Sequence, residues 1–553
     1  MFPDDADTLV QLFLSRAAAD PDRPAVVHRR NDTFVPVTWG ELLCDVRRAA
    51  AGFQGVGVAA GDRVVQVSEN RYEWIVCDLA IMLAAGVHVP VHAGLSGPQI
   101  AFQIRDSGAK VVVVSGGDHR AKLGRELAAD VTCVTFESCS DTHGGPDAML
   151  WEEFIARAEN SAGADVARSS PPRQKGDSLA TILYTSGTTG DPKGVMLSHR
   201  NLLSNTRATV EAVGTSDEDL RLSILPWSHV FARTCDLYTW LACGCTLAIA
   251  EGREQVIANC AELAPTVINA VPYFYEKLFR HLDQHQLLET PGSLQSLLGG
   301  RMRLCCSGGA ALPRHVEQMF DRQQLLLLQG YGLTETSPVI STGTPTHRKA
   351  GSVGLPLPGV EVRVAGDGEV LSRGPHIMQG YYDNRDATGQ AIRDGWFHTG
   401  DLGRLDDEGY LFITGRKKEM IVLATGKNIS PVNLETLLVE DPLIAQALVV
   451  GEGRKYLAAL IVPDPDALKQ QIIERRIPVL SSHQALVHPD VSALYRERID
   501  RRLANVSAGE QVRQFQLLGR GFTPESDELT PTLKLRRGII QDNFAKEIEA
   551  MYE

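Results

Sequence analysis

A glycine- and hydroxyl-rich segment is the part of the sequence whose residue types and spacing are best suited to chemistry. Residues 184–194 read YTSGTTGDPKG. Closely spaced glycines let the backbone wrap around a ligand, and amide, hydroxyl and ammonium donors suit phosphate oxygens. In a Walker loop the second glycine directly precedes the lysine, whereas Asp191 and Pro192 separate Gly190 from Lys193 here. The segment therefore indicates a phosphate-binding loop and disfavours a P-loop hydrolase.

Further segments contain the residue types that nucleotide and acyl chemistry would use. They are LPWSHVFAR at 225–233, SGGAA at 307–311, GYGLTET at 330–336, WFHTGD at 396–401, TGRKKEM at 414–420 and LTPTLKLRR at 529–537. Each alone has an ordinary structural interpretation: a glycine-rich turn before a helix, a solvated turn with two lysines, or a basic surface run. Their order along the chain is what makes them informative.

Taken together and in this order, the segments resemble the signatures of the adenylate-forming superfamily, which contains acyl-CoA synthetases, luciferases and peptide-synthetase adenylation domains. The resemblance extends from about residue 10 to about residue 540. It implies an acid–thiol ligase that uses ATP and Mg²⁺ to convert a carboxylic acid into an acyl-adenylate, with release of pyrophosphate. The implied substrates are a medium- or long-chain fatty acid and, as acceptor, coenzyme A.

The resemblance implies a set of nucleotide-binding residues. The β- and γ-phosphates would be held by Thr185, Ser186, Gly187, Thr188, Thr189, Gly190 and Lys193. The adenine side would be formed by Gly308, Gly309, Ala310, Gly332 and Tyr331, whose flat ring suits the base. Thr334 would be a phosphate ligand, Asp401 would accept hydrogen bonds from both ribose hydroxyls, and Arg416 would contact ribose or phosphate.

The resemblance also implies the residues that act on the reacting groups. Lys534 would be the catalytic lysine, and Glu335, a hard carboxylate, would bind Mg²⁺. Thr188 and His229 would complete the catalytic set, although a core histidine is a second interpretation of His229. Lys418 would be the hinge about which a small domain rotates, removing Lys534 and opening a path for the thiol.

Two of the segments bear on the acyl group. Residues 529–537 follow the form common in long-chain fatty acyl members rather than the glycine-preceded lysine of many short-chain members. Residues 225–233 resemble the acyl-pocket segment of long-chain synthetases but depart from it at Trp227, Ser228 and Ala232, which leaves chain length open. The alternatives are a fatty acyl-AMP ligase that loads a carrier protein, an aryl or short-chain acid–CoA ligase, and a catalytically dead nucleotide sensor.

The elements that must position these residues alternate between helix and strand through the first four hundred residues. This alternation predicts an α/β fold with largely parallel sheets, and ligand loops beyond the carboxyl ends of the strands. Strands are predicted at Arg63–Val67, Val111–Val114, 246–250 and 325–328, the last ending before Gln329. Helices are predicted over 42–53, 74–85 and 201–213, the last with Ser198 as N-cap.

Near residue 400 the pattern changes to that of a small α+β module. Hairpins are predicted for 402–405 with 410–414 and for 447–450 with 457–462, a helix begins at Ser430-Pro431, and another covers 491–503. We therefore predict a large N-terminal adenylation domain of layered sheets and helices, residues 1–415, with the ATP and acyl sites. A smaller mobile C-terminal domain, residues 416–553, would carry Lys534. Residues 160–177 are predicted to be an exposed connection.

Composition narrows the functional classes. A formal net charge of −13 argues against nucleic-acid binding, because a polyanion requires a large basic face. Ten cysteines without zinc-site spacing are typical of reduced thiols. The first residues are acidic where a signal peptide is basic, and the apolar stretch 74–91 is interrupted too often to span a membrane. We expect a cytoplasmic protein, monomer or homodimer, and leave peripheral membrane contact open.

Overall fold

The structure is a computed structural model that describes residues 6–124, 127, 130–138, 147–160, 174–185, 192–523, 526–530 and 534–553. Its architecture is mixed α/β, as the alternating pattern predicts. Two large mixed sheets and a smaller antiparallel sheet lie in the first part of the chain, and a three-stranded sheet with its helices lies in the last part. The predicted fold class is confirmed.

The largest sheet, sheet A, has nine strands. Their spatial order is Leu355–Pro356, Val339–Thr342, Leu326–Gly332, Leu304–Ser307, Val267–Ala270, Leu220–Ser223, Thr246–Ile249, Pro24–Arg30 and Thr33–Thr38. Neighbouring strands are parallel from Leu326–Gly332 to Pro24–Arg30, and the strands at both margins are antiparallel. Most buried residues of the parallel strands are apolar, as expected for strands covered on both faces, although Arg221, Ser223, Asn269 and Ser307 are buried there as well.

Sheet B has eight strands. Their order is Gly380–Tyr381, Lys193–Ser198, Leu179–Thr185, Val87–Val91, Arg63–Val67, Val111–Val114, Thr132–Thr135 and Met149–Leu150. The pairing is parallel from Leu179–Thr185 onward and antiparallel before it. Sheet C is antiparallel and consists of Glu361–Val364, Glu369–Arg373, Trp396–Leu405, Ile392–Arg393 and Leu411–Arg416.

Helices cover the sheets of the first part of the chain. They are Leu9–Ala19, Trp39–Gly55, Tyr72–Leu83, Gly97–Ser107, Gly117–Lys122, Trp151–Asn160, His199–Val213, Val230–Ala232, Thr239–Cys243, Val256–Leu263, Pro272–Gln284, Ser293–Leu297, Arg314–Arg322 and Arg385–Ala391. A π-helix, Arg233–Tyr238, joins Val230–Ala232 to Thr239–Cys243, and Thr334–Thr336 is a 3₁₀ turn. Trp39 and Trp240 stack in the main core with ring centroids 4.7 Å apart.

The last part of the chain has its own apolar cores. Its sheet has the order Ile444–Val450, Leu457–Pro463 and Val512–Leu517, beside a small hairpin of Ile421–Val422 and Asn428–Ile429. Its helices are Pro431–Val439, Pro465–Glu474, Ser482–Val487, Pro489–Arg502, Arg537–Asn543 and Ala545–Ala550, with 3₁₀ turns at Lys417–Glu419 and Ala508–Glu510. Two buried apolar clusters here draw all their members from Ile421 onward. An ion pair of 3.2 Å between Arg280 Nη1 and Asp464 Oδ2 joins the two parts.

Most of the predicted elements are confirmed, with three differences. The strand predicted to stop at residue 328 continues through Gly332, because Val339–Thr342 pairs antiparallel with its glycine-rich end. The WFHTGD segment likewise lies inside the strand Trp396–Leu405 and does not precede it. Ser430 occupies the N-cap position of Pro431–Val439, but its hydroxyl makes no capping hydrogen bond, whereas Ser198 forms a full capping box with Asn201. Residues 161–173 of the predicted connection lie outside the described residues.

Candidate active site

A cavity of about 1280 Å³ collects most of the residues that the sequence singles out. Its lining includes Thr185, Lys193, His229, Gly308, Gly309, Tyr331, Gly332, Thr334, Glu335, Arg416, Lys418 and Lys534. Asp401 is buried directly behind the lining, and Ala310 is exposed and does not line the cavity. Ser186, Gly187, Thr188, Thr189 and Gly190 lie outside the described residues.

The phosphate-loop flanks are positioned by an antiparallel strand pair, in which Thr185 lies opposite Lys193. The Lys193 ammonium lies 5.0 Å from the centre of the Tyr381 ring, within the range of a cation–π contact. The Tyr381 hydroxyl in turn donates to Glu335 Oε1 at 2.9 Å. Tyr381 reaches this place because its short strand pairs with Lys193–Ser198, opposite Val195. The structure thus joins a cation, an aromatic ring and a carboxylate at one wall of the cavity.

Tyr381 is a site residue that sequence reasoning missed. It lies in the unremarkable segment Gly380–Tyr381, whose aromatic residue reads as a core or edge-strand side chain. Burial, followed by the Glu335 carboxylate, raises the pKa of the Tyr381 phenol, so the hydroxyl remains a donor. No signal in the sequence separates it from neighbouring Tyr382.

Tyr331, Asp401 and Arg416 form a hydrogen-bonded triplet at the next wall. The Tyr331 hydroxyl donates to Asp401 Oδ2 at 2.7 Å, and Arg416 Nε donates to Oδ1 at 2.7 Å. Asp401 and Arg416 lie directly opposite each other in sheet C, so the strand register brings them together. Burial, followed by Asp401, raises the pKa of Tyr331. Each Asp401 oxygen keeps a second lone pair, which leaves acceptor capacity for hydroxyl donors.

Glycine is required by close backbone approach in the strand that carries Tyr331. A Cβ on Gly332 would lie 1.8 Å from the carbonyl oxygen of Pro338. At the adenine-side loop, Gly309 has φ +84°, a left-handed conformation that favours glycine. A Cβ on Gly308 would lie 3.1 Å from the ring of Phe231, so this loop packs tightly onto the segment that follows His229.

His229 lines the cavity and also starts the helix Val230–Ala232. Its Nδ1 accepts the Phe231 amide hydrogen at 3.3 Å. Burial, then the Lys534 and His92 charges, lowers the pKa of His229 to about 3, so the imidazole is neutral near pH 7. His92, which sequence reasoning did not select, lines the same cavity, and burial followed by Arg253 lowers its pKa to about 4. Two neutral histidines therefore face the cavity.

Arg233, the last residue of the LPWSHVFAR segment, has a different place. It is fully buried and ion-paired with Asp78, and His88 Nδ1 lies 2.6 Å from Asp78 Oδ1. Its Nη1 also donates to Thr181 Oγ1 at 2.6 Å. This network ties the segment to sheet B, which indicates that Arg233 stabilises the fold beneath the site.

Lys534 lines the cavity from the last part of the chain and is exposed to its interior. Its backbone amide donates to Thr530 Oγ1 at 3.0 Å, and Leu529 and Leu535 form an isolated antiparallel bridge; both contacts hold Lys534 at the cavity. Partial desolvation in the cleft lowers the pKa of Lys534, and Arg416 lowers it further, against the opposite effect of Asp401, Glu419 and Glu335. The ammonium is thus close to the triplet and the carboxylate.

Lys418 lies in the 3₁₀ turn Lys417–Glu419, directly after sheet C. Its side chain is exposed. The neighbouring Lys417 is held instead, because its Nζ donates to Asp367 Oδ2 at 2.6 Å and to Glu369 Oε2 at 3.2 Å. The turn therefore follows a well-anchored strand end, and the cores that begin at Ile421 come immediately after it.

The donor set for a cation is sparse. Among the described residues there is no group of three or more histidine, cysteine, aspartate or glutamate side chains that could hold a metal ion. Glu335 offers a single carboxylate at the cavity wall, which fits Mg²⁺ held mainly by substrate phosphates and water, the usual arrangement for this ion.

The cavity lies between the layered α/β body and the small C-terminal module and is lined by residues of both. Residues 13–382 match the family model described as AMP-binding enzyme, and residues 418–511 match the model described as AMP-binding enzyme C-terminal domain. The chain belongs to the AMP-binding enzyme family, which confirms the resemblance drawn from the motifs.

The chain is similar to family members along nearly its whole length. It is 34% identical to long-chain-fatty-acid–CoA ligase FadD15 of Mycobacterium bovis, over 99% of this chain and 97% of the relative. It is 26% identical to long-chain-fatty-acid–[acyl-carrier-protein] ligase AEE15 of Arabidopsis thaliana, over 98% and 86%. Among solved structures, ATP-bound MatB from Rhodopseudomonas palustris has a TM-score of 0.75 at 24% identity, covering 97% of this chain and 99% of that one.

In the part of the chain that the structure describes, no helix is both long enough and apolar enough to cross a bilayer.

Proposed function

We propose that this protein activates a medium- or long-chain fatty acid with ATP and transfers the acyl group to coenzyme A. The observation that carries the proposal is the convergence of Lys534, Glu335 and the Tyr331–Asp401–Arg416 triplet on one cavity beside the phosphate-loop flanks. The similarity to long-chain-fatty-acid–CoA ligase FadD15 supports the choice of substrates.

In the first half-reaction, a carboxylate oxygen of the acid attacks the α-phosphorus of ATP. The bond from that phosphorus to the bridging oxygen breaks, and pyrophosphate leaves with the electron pair. We assign the stabilisation of the developing negative charge to Lys534, with Lys193 beside the β- and γ-phosphates. No side-chain nucleophile is needed, so catalysis is positioning and electrostatic stabilisation. We assign binding of the phosphates also to Thr185, Thr334 and the loop residues outside the described structure, which are Ser186, Gly187, Thr188, Thr189 and Gly190.

We assign the nucleoside to the glycine-rich walls. Adenine would stack on Tyr331 beside Gly308, Gly309, Ala310 and Gly332. The ribose hydroxyls would donate to the free lone pairs of Asp401. Burial lowers the pKa of Arg416, but the neighbouring Asp401 carboxylate more than offsets this effect, so the guanidinium stays charged beside the ribose. His229, neutral in this environment, would lie against the acyl carboxyl end without taking a proton.

Glu335 would hold Mg²⁺, which supplies charge neutralisation of the phosphates when bound. The Tyr381 hydroxyl orients one Glu335 oxygen at 2.9 Å and leaves the other without a hydrogen bond among the described residues. This is a fitting arrangement for a carboxylate that offers one oxygen to a cation.

In the second half-reaction, a thiolate sulfur attacks the acyl carbon, the bond from that carbon to the AMP oxygen breaks, and AMP leaves. We propose that residues 1–415 and 416–553 act as two domains, with rotation about Lys418 withdrawing Lys534 between the half-reactions. The exposed Lys418 and the separate cores from Ile421 onward support this division.

A carrier protein is a second candidate acceptor, favoured by the similarity to the acyl-carrier-protein ligase of Arabidopsis thaliana. Pyrophosphate release should be measured with carboxylic acids from C2 to C18. Thioester formation should then be measured with coenzyme A and, separately, with a carrier protein as the acceptor. Chain-length-dependent pyrophosphate release with coenzyme A turnover supports the first proposal. Turnover with a carrier protein but not with coenzyme A would show that the carrier protein is the acceptor. Release of ADP or phosphate would refute adenylation. A cytoplasmic location, peripheral membrane contact and a monomeric or homodimeric state stay predictions.

A further inference from the structure

The proposed hinge residue, Lys418, has a charged neighbour on each side in the chain. On the N-terminal side, the Lys417 ammonium donates to Asp367 Oδ2 at 2.6 Å and to Glu369 Oε2 at 3.2 Å. Glu369 is buried and begins the second strand of sheet C. Lys417 is therefore held by the part of the chain that precedes the hinge.

On the C-terminal side, Glu419 contacts the small module. Its Oε2 lies 3.4 Å from Arg537 Nε, and the Glu419 and Arg537 side chains are only 20% and 15% exposed. Arg537 Nη2 also donates to Glu435 in the helix Pro431–Val439. Burial lowers the pKa of Arg537, but Glu435 and then Glu419 more than offset this effect, so the guanidinium stays charged. Glu419 is therefore held by the part of the chain that follows the hinge.

Lys418 itself is not held in this way. Its side chain is exposed and makes no hydrogen bond or ion pair with any residue that the structure describes. Hinge motions are absorbed by a few residues whose φ and ψ change. Since the two neighbours are bound to different parts of the chain, the residue between them is the one that can change.

Arg537 connects this arrangement to the catalytic lysine. It follows Lys534 by three residues and begins the helix Arg537–Asn543. The segment between is short and closed on itself, because the Lys534 carbonyl oxygen accepts the Thr530 amide hydrogen at 2.8 Å. Arg537 does not line the cavity, so its charge does not face the substrates directly. Its contact with Glu419 instead sets where the Lys534 segment lies relative to the hinge.

We propose that Lys417, Glu419 and Arg537 are positioning residues for Lys534. The contacts of Lys417 and Glu419 confine the rotation to Lys418, and Arg537 relates the position of Glu419 to that of Lys534. This inference rests on the proposed function, in which Lys534 acts in the first half-reaction and is withdrawn before the second. Loss of either contact should then impair acyl-adenylate formation and spare thioester formation.

The test uses Lys417→Met and Glu419→Gln, which remove a charge and keep the length of the side chain. In single-turnover pyrophosphate release, each should lower acyl-adenylate formation by about 3- to 10-fold, as expected for loss of a partly buried ion pair. Conversion of preformed acyl-AMP to thioester should not change. Lys349→Met is the matched control, because Lys349 also bridges two carboxylates, Asp406 at 2.7 Å and Glu408 at 2.8 Å, and does not line the cavity. It should leave both half-reactions unchanged.

The same substitutions are then made in Lys534→Ala. If Lys417 and Glu419 act through Lys534, they should cause no further loss there, since residues that act through one shared group are not additive. An undiminished further loss in Lys534→Ala would overturn the inference. Unchanged adenylation in both single variants, or equal losses of both half-reactions, would also overturn it. Unchanged adenylation in Lys534→Ala itself would instead refute the role of Lys534 in the proposed function, and this inference with it.

Discussion

Replacing Lys534 with alanine should separate the two half-reactions. The ammonium lines the cavity near Arg416, Asp401 and Glu335, at the place where negative charge would build up on phosphate. Loss of one such electrostatic stabiliser typically lowers the rate by about 10²–10³, equivalent to about 2.7–4 kcal/mol. We therefore expect acyl-adenylate formation to fall by about 10²–10³ in Lys534→Ala, while preformed acyl-AMP is still converted to thioester.

The assay is single-turnover pyrophosphate release, measured beside thioester formation from synthetic acyl-AMP. Lys427→Ala is the control, because Lys427 is exposed and does not line the cavity. Its Nζ donates a hydrogen bond to Ser507 Oγ at 2.5 Å. The substitution should leave both half-reactions unchanged. Equal losses of both half-reactions in Lys534→Ala would refute the role given to Lys534.

The same residue predicts a pH dependence. Lys534 must be protonated to stabilise negative charge, and desolvation together with Arg416 lowers its pKa. The adenylation rate should therefore be at its maximum below the pKa of Lys534 and decline as the pH rises through it. The midpoint of the decline should lie below the ordinary lysine pKa of about 10.4. Lys534→Arg keeps its charge at these pH values, so the alkaline decline should move to higher pH. An identical decline in Lys534→Arg would show that another group titrates.

The remaining predictions concern the hinge and the fold. Lys418→Pro should spare adenylation and suppress thioester formation, because proline restricts the backbone rotation proposed at that residue; normal overall turnover would remove the hinge proposal. Gly332→Ala should lower the free energy of unfolding in urea by about 3 kcal/mol, because the new Cβ would lie 1.8 Å from a carbonyl oxygen. Gly389→Ala, the control in an open helical position, should leave the free energy of unfolding unchanged or raise it by about 0.5–1 kcal/mol. Arg233→Met should cost about 3–5 kcal/mol by stranding the buried Asp78 carboxylate, and Asp78→Leu in the same chain should recover part of that loss; no recovery would mean that the arginine acts through packing alone.

Local pattern accounts for the parts of the fold that sequence reasoning predicted well. Arg63–Val67 and Val111–Val114 have the predicted bounds because runs of β-branched residues favour strands. The Ser198 cap was predictable because a capping box involves only four consecutive residues. The strand containing Tyr331 was predicted too short, since its glycine-rich end is held extended by a partner strand that local sequence does not reveal.

The sequence by itself determined the order of the motifs, the α/β alternation, the family resemblance and the identity of most candidate site residues that line the cavity. These depend on residue type and short spacing, which are local. Only the tertiary structure decided that Tyr381 supports Glu335 from 46 residues away and that Arg233 pairs with Asp78 across 155 residues. The physical reason is that hydrogen bonding, burial and charge balance depend on which distant strands lie side by side, and a single sequence does not specify that register.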